Sequence, residues 1–277
     1  MNAHVARGNP REVGNRSAMK LTDLLATARG ATLAPMRLAQ MLAATGVGAA
    51  MFMTEERWAE FSYERRKSYV TWWCGTMLMC LGVEVVDDPA NPPVAPVPEG
   101  GRMVVSNHRS MLDILVLLAR FGGHMLSRDD LGKWPVIGWL AGFSETLYID
   151  RSSPTSGAAS IRAMSDRLAE RHTVTVFAEG TTYPDDEVRP FQPGAFVAIT
   201  RSGGEVLPVG LAYEGDHAIF FQEPFSAHAR KVLLRPTTRV ALSLGHPIPV
   251  ERRTSKALTA LTHERVQGLV RRARSIL

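Results

Sequence analysis

From residue 102 onward the chain alternates short apolar runs, rich in β-branched residues, with segments of helical spacing. Residues 103–105, 146–149, 174–177, 206–211 and 240–244 read as strands, while 110–120, 157–171, 193–202 and 255–275 read as helices. A run as continuously apolar as Met103-Val104-Val105 keeps no face for water. Strands of that kind are buried on both sides, so the pattern specifies an α/β fold with a mostly parallel central sheet flanked by helices. Upstream, 83–86 is a short extended run, and 87–100 contains Pro89, Pro92, Pro93, Pro96 and Pro98. No helix or central strand tolerates that density of proline, which makes 87–100 a connection.

The 277 residues divide accordingly into a tail at 1–20, a helical region at 21–86 and an α/β domain at 87–277 that closes on a basic helix. The tail is polar and lacks the apolar core of a secretory signal. Within the helical region, 38–54 runs seventeen residues without a charge but is interrupted by Gln40, Gly46 and Gly48. That is short of the ~20 residues a spanning helix needs. The expectation is a membrane-facing extension whose helix lies in the interface. Thr54-Glu55-Glu56-Arg57 reads as the start of a second helix, with Thr54 as its cap and the acids near its positive end. Trp58, Phe61, Tyr69, Trp72 and Trp73 follow, residues that suit either a core or the membrane–water boundary. The two cysteines, Cys74 and Cys80, stand six apart and would point different ways on a helix, so neither a disulfide framework nor a zinc set is expected.

The net charge of +5 is unevenly placed: residues 229–277 carry eleven Lys/Arg against two Glu, a net of +9, and the rest of the chain is slightly acidic. A basic block of this kind fits an anionic partner, such as an anionic membrane surface or an acidic carrier protein. It holds no aromatic residue on which bases could stack, which argues against nucleic acid.

The segment richest in chemistry is Ser106-Asn107-His108-Arg109-Ser110-Met111-Leu112-Asp113, directly after a buried strand. In α/β folds catalytic groups gather where strands end. On one continuous helix a five-residue offset would turn His108 and Asp113 apart by about 140° (five steps of ~100°). They meet only if His108 precedes the helix and Asp113 lies in its first turn. Asp113 sits among Met111, Leu112, Ile114 and Leu115, so its charge needs a partner. A paired imidazole and carboxylate suit general-base chemistry. Ser110 reads as a helix-capping hydroxyl beside His108, although a nucleophile is the alternative. His124, His172, His217, His246 and His263 stand outside any motif and read as structural.

These residues resemble the glycerolipid acyltransferase family that includes the 1-acylglycerol-3-phosphate acyltransferases. Its NHxxxxD motif is similar to Asn107–Asp113 here, and a second motif resembles Leu147-Tyr148-Ile149-Asp150-Arg151. The third is similar to Phe177-Ala178-Glu179-Gly180-Thr181-Thr182 followed by Pro190-Phe191 and Gly194-Ala195, and the fourth to Val206-Leu207-Pro208-Val209-Gly210. A further element resembles Arg128-Asp129-Asp130-Leu131 with Pro135 and Gly138, and the agreement in order and spacing covers roughly residues 70–250.

The resemblance implies an O-acyltransferase using an acyl-CoA or acyl carrier protein thioester as co-substrate, with no bound cofactor and no metal. His108 would be the base and Asp113 its support. Asn107, Arg128, Arg151, Glu179, Gly180 and Thr181 would bind substrate, the two arginines by gripping phosphate. The acceptor implied is a membrane lysolipid, with 1-acylglycerol-3-phosphate, giving phosphatidic acid, in the lead. Thr182 stands where the family often has Arg, and Ala178 where it often has Pro. The first departure removes a phosphate contact and keeps lyso-ornithine lipid or a glycolipid open as acceptor. The rival outside this class is a noncatalytic lipid-binding protein of the same fold. A peripheral or monotopic position on the cytoplasmic face of the cell membrane is the expected location.

Overall fold

The computed structural model describes residues 21–56, 62–128, 147–149 and 154–277. An antiparallel partner inside a mostly parallel sheet organises them. The strands are β1 (Val83–Asp87), β2 (Arg102–Ser106), β3 (His124–Arg128), β4 (Leu147–Ile149), β5 (Thr173–Phe177), β6 (Glu205–Tyr213), β7 (Thr238–Leu244) and β8 (Ile248–Pro249). They lie in the order β1-β7-β6-β2-β5-β3-β4, with β8 paired to β6. The run β6-β2-β5-β3-β4 is parallel, as the apolar pattern predicts. β7 lies antiparallel to β6, and β1 follows β7 in parallel. The ends of β2, β5 and β6 therefore open on one edge, away from the proline-rich connection.

Alternation along the strands assigns the helices to two layers. Val206, Met103, Val105, Val174 and Val176 face α4 (Pro154–Ala169), α5 (Gly194–Ser202) and α7 (Ser255–Ser275). Val104, Leu207, Val209, Leu211 and Tyr213 face α2 (Tyr63–Leu81), α3 (Leu112–Phe121) and α6 (Phe225–Leu233). At Gly210 a Cβ would drive into the backbone of Leu269, so α7 lies directly against β6. The basic C-terminal helix and the N-terminal helices thus occupy opposite faces of the sheet.

The N-terminal region is helical as expected, but its helix boundary is not where Thr54 placed it. The first helix, α1 (Leu21–Glu56), runs through Thr54, whose hydroxyl donates back to the carbonyls of Met51 at 2.8 Å and Ala50 at 3.1 Å. A Thr satisfied by its own preceding turn is not a cap. The second helix starts later, with Ser62 accepting from the Arg65 N–H at 3.4 Å. Trp58 and Phe61 lie outside the described residues. α1 packs Met41 and Ala44 inward, and Trp73 of α2 donates to Thr45 at 3.2 Å. Met36, Leu38, Leu42, Val47, Met51 and Met53 are exposed on α1, as are Trp72 and Met79 on α2. Among the described residues no helix is long and apolar enough to cross a membrane. Cys74 and Cys80 are free and buried.

Candidate active site

The site begins where β2 stops. Asn107, one residue past the strand, is fully buried and uses its side-chain amide as a substitute peptide. Its Nδ2 donates to the Leu211 carbonyl and its Oδ1 accepts from the Leu211 N–H, each at 2.9 Å, which extends the ladder with β6. His108 then leaves the sheet. Its N–H donates to Glu179 Oε1 at 2.8 Å, and its carbonyl accepts from the Tyr183 N–H at 3.1 Å. Its ring lies flat on Phe177, with centroids 3.9 Å apart and planes 6° from parallel.

Asp113 sits in the first turn of α3, so the turn before the helix folds back over its carboxylate. Oδ2 stands 2.8 Å from His108 Nδ1 and accepts the N–H groups of Arg109 at 2.7 Å and Ser110 at 2.8 Å. Oδ1 accepts the Tyr213 hydroxyl at 2.5 Å. The carboxylate accepts at every contact, which assigns the shared proton to His108 Nδ1 and leaves the lone pair on Nε2. The His108 side chain is 13% exposed and that of Asp113 is 0% exposed, so the imidazole is the accessible member of the pair. The five-residue spacing is used as the sequence requires, with His108 before the helix and Asp113 inside it.

Behind His108 lies a buried ion pair. Arg109, 1% exposed, donates through one terminal nitrogen to Glu179 Oε1 at 2.9 Å and to the His108 carbonyl at 2.8 Å, and through the other to the Glu187 carbonyl at 3.0 Å. Glu179 Oε2 accepts the Arg189 N–H at 2.8 Å. Charges this deep persist only when paired and hydrogen-bonded; both terminal nitrogens of Arg109 are used, and its Nε is left without a partner among the described residues. Asn107 and Glu179, expected as substrate ligands, are both occupied in holding the loop that carries His108. Gly180 turns the chain at φ 83° after β5, a conformation that favours glycine, and Thr181 is exposed beyond it. The backbone of Arg128 ends β3 on this same edge, two strands from β2. The Arg128 side chain and Arg151 lie outside the described residues, as do Asp129–Gly138 of the further motif.

The sequence reading passed over three residues here: Arg109, Tyr213 and His228. Tyr213 had a readable signal, because it continues the 207-209-211 alternation onto the face that carries α3. Ser110 is fully buried and accepts the Leu112 N–H at 3.2 Å, with His228 Nε2 also at 3.2 Å. That enclosure makes it a bridge within the protein rather than an exposed nucleophile.

An accessible imidazole aimed by a buried carboxylate, at the strand ends of a mostly parallel sheet, is an arrangement in which histidine can take up a proton. The profile of the Acyltransferase family matches residues 85–212, which include His108, Asp113 and Glu179 and end just before Tyr213. The lyso-ornithine lipid O-acyltransferase of Pseudomonas aeruginosa is 30% identical over 66% of this chain and 71% of its own length. That of Rhodobacter capsulatus is 33% identical over 52% of this chain, a match spanning 56% of the Rhodobacter protein. The 1-acyl-sn-glycerol-3-phosphate acyltransferase of Neisseria gonorrhoeae is 30% identical over 43% of this chain and 47% of its own length. In fold, the chain superposes on the crystal structure of the 1-acyl-sn-glycerophosphate acyltransferase PlsC of Thermotoga maritima with a TM-score of 0.66, over 91% of this chain and 96% of that one at 21% identity. This chain belongs to the acyltransferase family, and its relatives are acyltransferases of lysolipids.

Proposed function

We propose that this protein moves a fatty acyl group from a thioester to the free hydroxyl of a lysolipid, with His108 as general base. The observation that carries the reading is the 2.8 Å contact from Asp113 to His108 Nδ1, which leaves Nε2 to take a proton. The acceptor hydroxyl loses its proton to Nε2 as its oxygen attacks the thioester carbonyl. Collapse of the tetrahedral adduct breaks the carbon–sulfur bond, and the departing thiolate takes the proton from the imidazolium. Asp113 stabilises that imidazolium while it exists. Either coenzyme A or acyl carrier protein fits as the carrier of the thioester.

For the acceptor, phosphate-free lyso-ornithine lipid is the better-supported choice over 1-acylglycerol-3-phosphate. Thr182 supplies no cation, and among the described residues of this edge Arg109 is neutralised by Glu179 and Arg189 pairs with Asp185 at 2.7 Å and Glu187 at 3.1 Å. Thiol release by the purified protein, measured with each lysolipid and without any, tests this. Faster acceptor-dependent release with lyso-ornithine lipid is expected. A tenfold preference for the phosphate-bearing acceptor would reverse the choice. Absence of acceptor-dependent release with any lysolipid would leave a noncatalytic lipid-binding protein.

The same proposal places the protein peripherally on the cytoplasmic face of the membrane, docked through α1 and α2. Their exposed Leu38, Leu42, Val47, Trp72 and Met79 support apolar contact, while the basic α7 lies on the opposite face of the sheet. Flotation with liposomes in high salt should therefore survive Arg265→Glu with Arg271→Glu and be lost with Leu42→Asp and Met79→Asp together. The opposite outcome would move the docking surface to α7.

A further inference from the structure

Asp113 is held by more than backbone. Its Oδ1 takes the hydroxyl of Tyr213 at 2.5 Å, from the last residue of β6. The Tyr213 side chain is 1% exposed and reaches no open surface. Burial, and then the adjoining Asp113 carboxylate, hold its phenol well above the ordinary value, so it is a permanent donor. The N–H of Ser110 donates to the other carboxylate oxygen, Oδ2, at 2.8 Å. Behind Ser110 stands His228 of α6, 1% exposed, with Nε2 at 3.2 Å from Ser110 Oγ and Nδ1 at 3.5 Å from Glu223. Glu223 is itself paired to Lys231 at 2.7 Å. Burial is the main influence lowering the His228 imidazole below its usual range. The Ser110 oxygen accepts from Leu112 N–H and shares a hydrogen bond with His228 Nε2, while Tyr213 donates to Asp113.

We propose that Tyr213 is a positioning residue for the acyl transfer, setting the basicity of His108 through Asp113, with His228 holding Ser110, whose N–H meets the other oxygen of that carboxylate. This rests on His108 being the base. A donor on Oδ1 draws charge away from the oxygen facing His108, and a less basic carboxylate stabilises imidazolium less. Tyr213 therefore keeps His108 unprotonated, and so competent, to lower pH. The groups facing the pair are His108 and Tyr213 themselves, the Arg109–Glu179 pair behind the loop, and His228 with Glu223 and Lys231 behind Ser110.

The test is Tyr213→Phe in the full-length protein, checked for folding by circular dichroism and assayed across pH. The acid limb of kcat/KM should move up by about half to one pH unit. KM for both substrates should hold, because Tyr213 touches neither. His228→Leu should shift the same limb less, and His228→Gln, whose amide can donate to or accept from the Ser110 hydroxyl, should restore it. If Tyr213→Phe fails to fold, the His228 pair alone decides. An unmoved acid limb in a folded Tyr213→Phe, or identical limbs for His228→Leu and His228→Gln, overturns the proposal. Loss of all activity in His108→Ala is a separate result, so failure of this inference and failure of the base assignment can be told apart.

Discussion

His108→Ala should lower turnover by about 10²–10⁴-fold, the usual worth of a positioned acid–base group. The fold should survive the change, because His108 is held mainly through its own backbone N–H and carbonyl, which alanine keeps. Melting temperature and denaturation midpoint should therefore stay near those of the parent while the rate collapses. Asp113→Asn should also be severe: the amide no longer offers an anion to the imidazolium, and its NH2 cannot accept from the four donors around it. A His108→Ala protein that still turns over at more than a tenth of the parental rate would remove the general-base mechanism.

Glu179→Ala should be the most destabilising change in the site, costing about 3–5 kcal/mol, because it strands the Arg109 guanidinium in the interior. The loss would appear in the midpoint of urea unfolding, and activity should fall with it as the His108 N–H loses its anchor. The cause can be isolated. Arg109→Met with Glu179→Leu removes both charges and should recover much of the stability, since apolar residues of similar volume often replace a buried pair without loss. A double variant no more stable than Glu179→Ala would mean that shape, not charge, holds the loop. A Glu179→Ala protein within 1 kcal/mol of the parent would mean that Arg109 finds another partner or reaches water.

Much of this architecture was legible because its signals are local. Continuous apolar runs exposed β2, β5 and β6, and the 255–275 helix lies where its spacing placed it. The His108–Asp113 pair was legible because a five-residue gap leaves a single workable geometry. What escaped depended on partners remote in sequence. β3, with His124 and Arg128, lacks a clean apolar run and becomes a strand only by pairing with β5 and β4. The short helix α6 carries His228, whose relation to Ser110 spans 118 residues. Glu179 stands as a substrate ligand in the sequence through the family resemblance; the position of Arg109 shows that its carboxylate faces inward. Thr54 misled because a hydroxyl that bonds to its own helix looks, in sequence, like one that caps the next.

Arg37 joins α1 to the rest of the molecule in an unusual way. Its guanidinium, 5% exposed, donates to the carbonyls of Leu233 at 3.0 Å, Arg235 at 2.5 Å and Pro236 at 2.6 Å, at the C-terminal end of α6. A helix terminus needs such donors for its unpaired carbonyls, and here they arrive from another helix some 196 residues away in sequence. Neither end can fray alone. Amide exchange in the middle of α1 and in the last turn of α6 should therefore follow a shared opening event, cheaper than global unfolding and made cheaper still by Arg37→Ala. On the proposed docking, lipid that holds α1 in place would slow exchange at the end of α6 on the same timescale, so binding at one helix would be recorded in another.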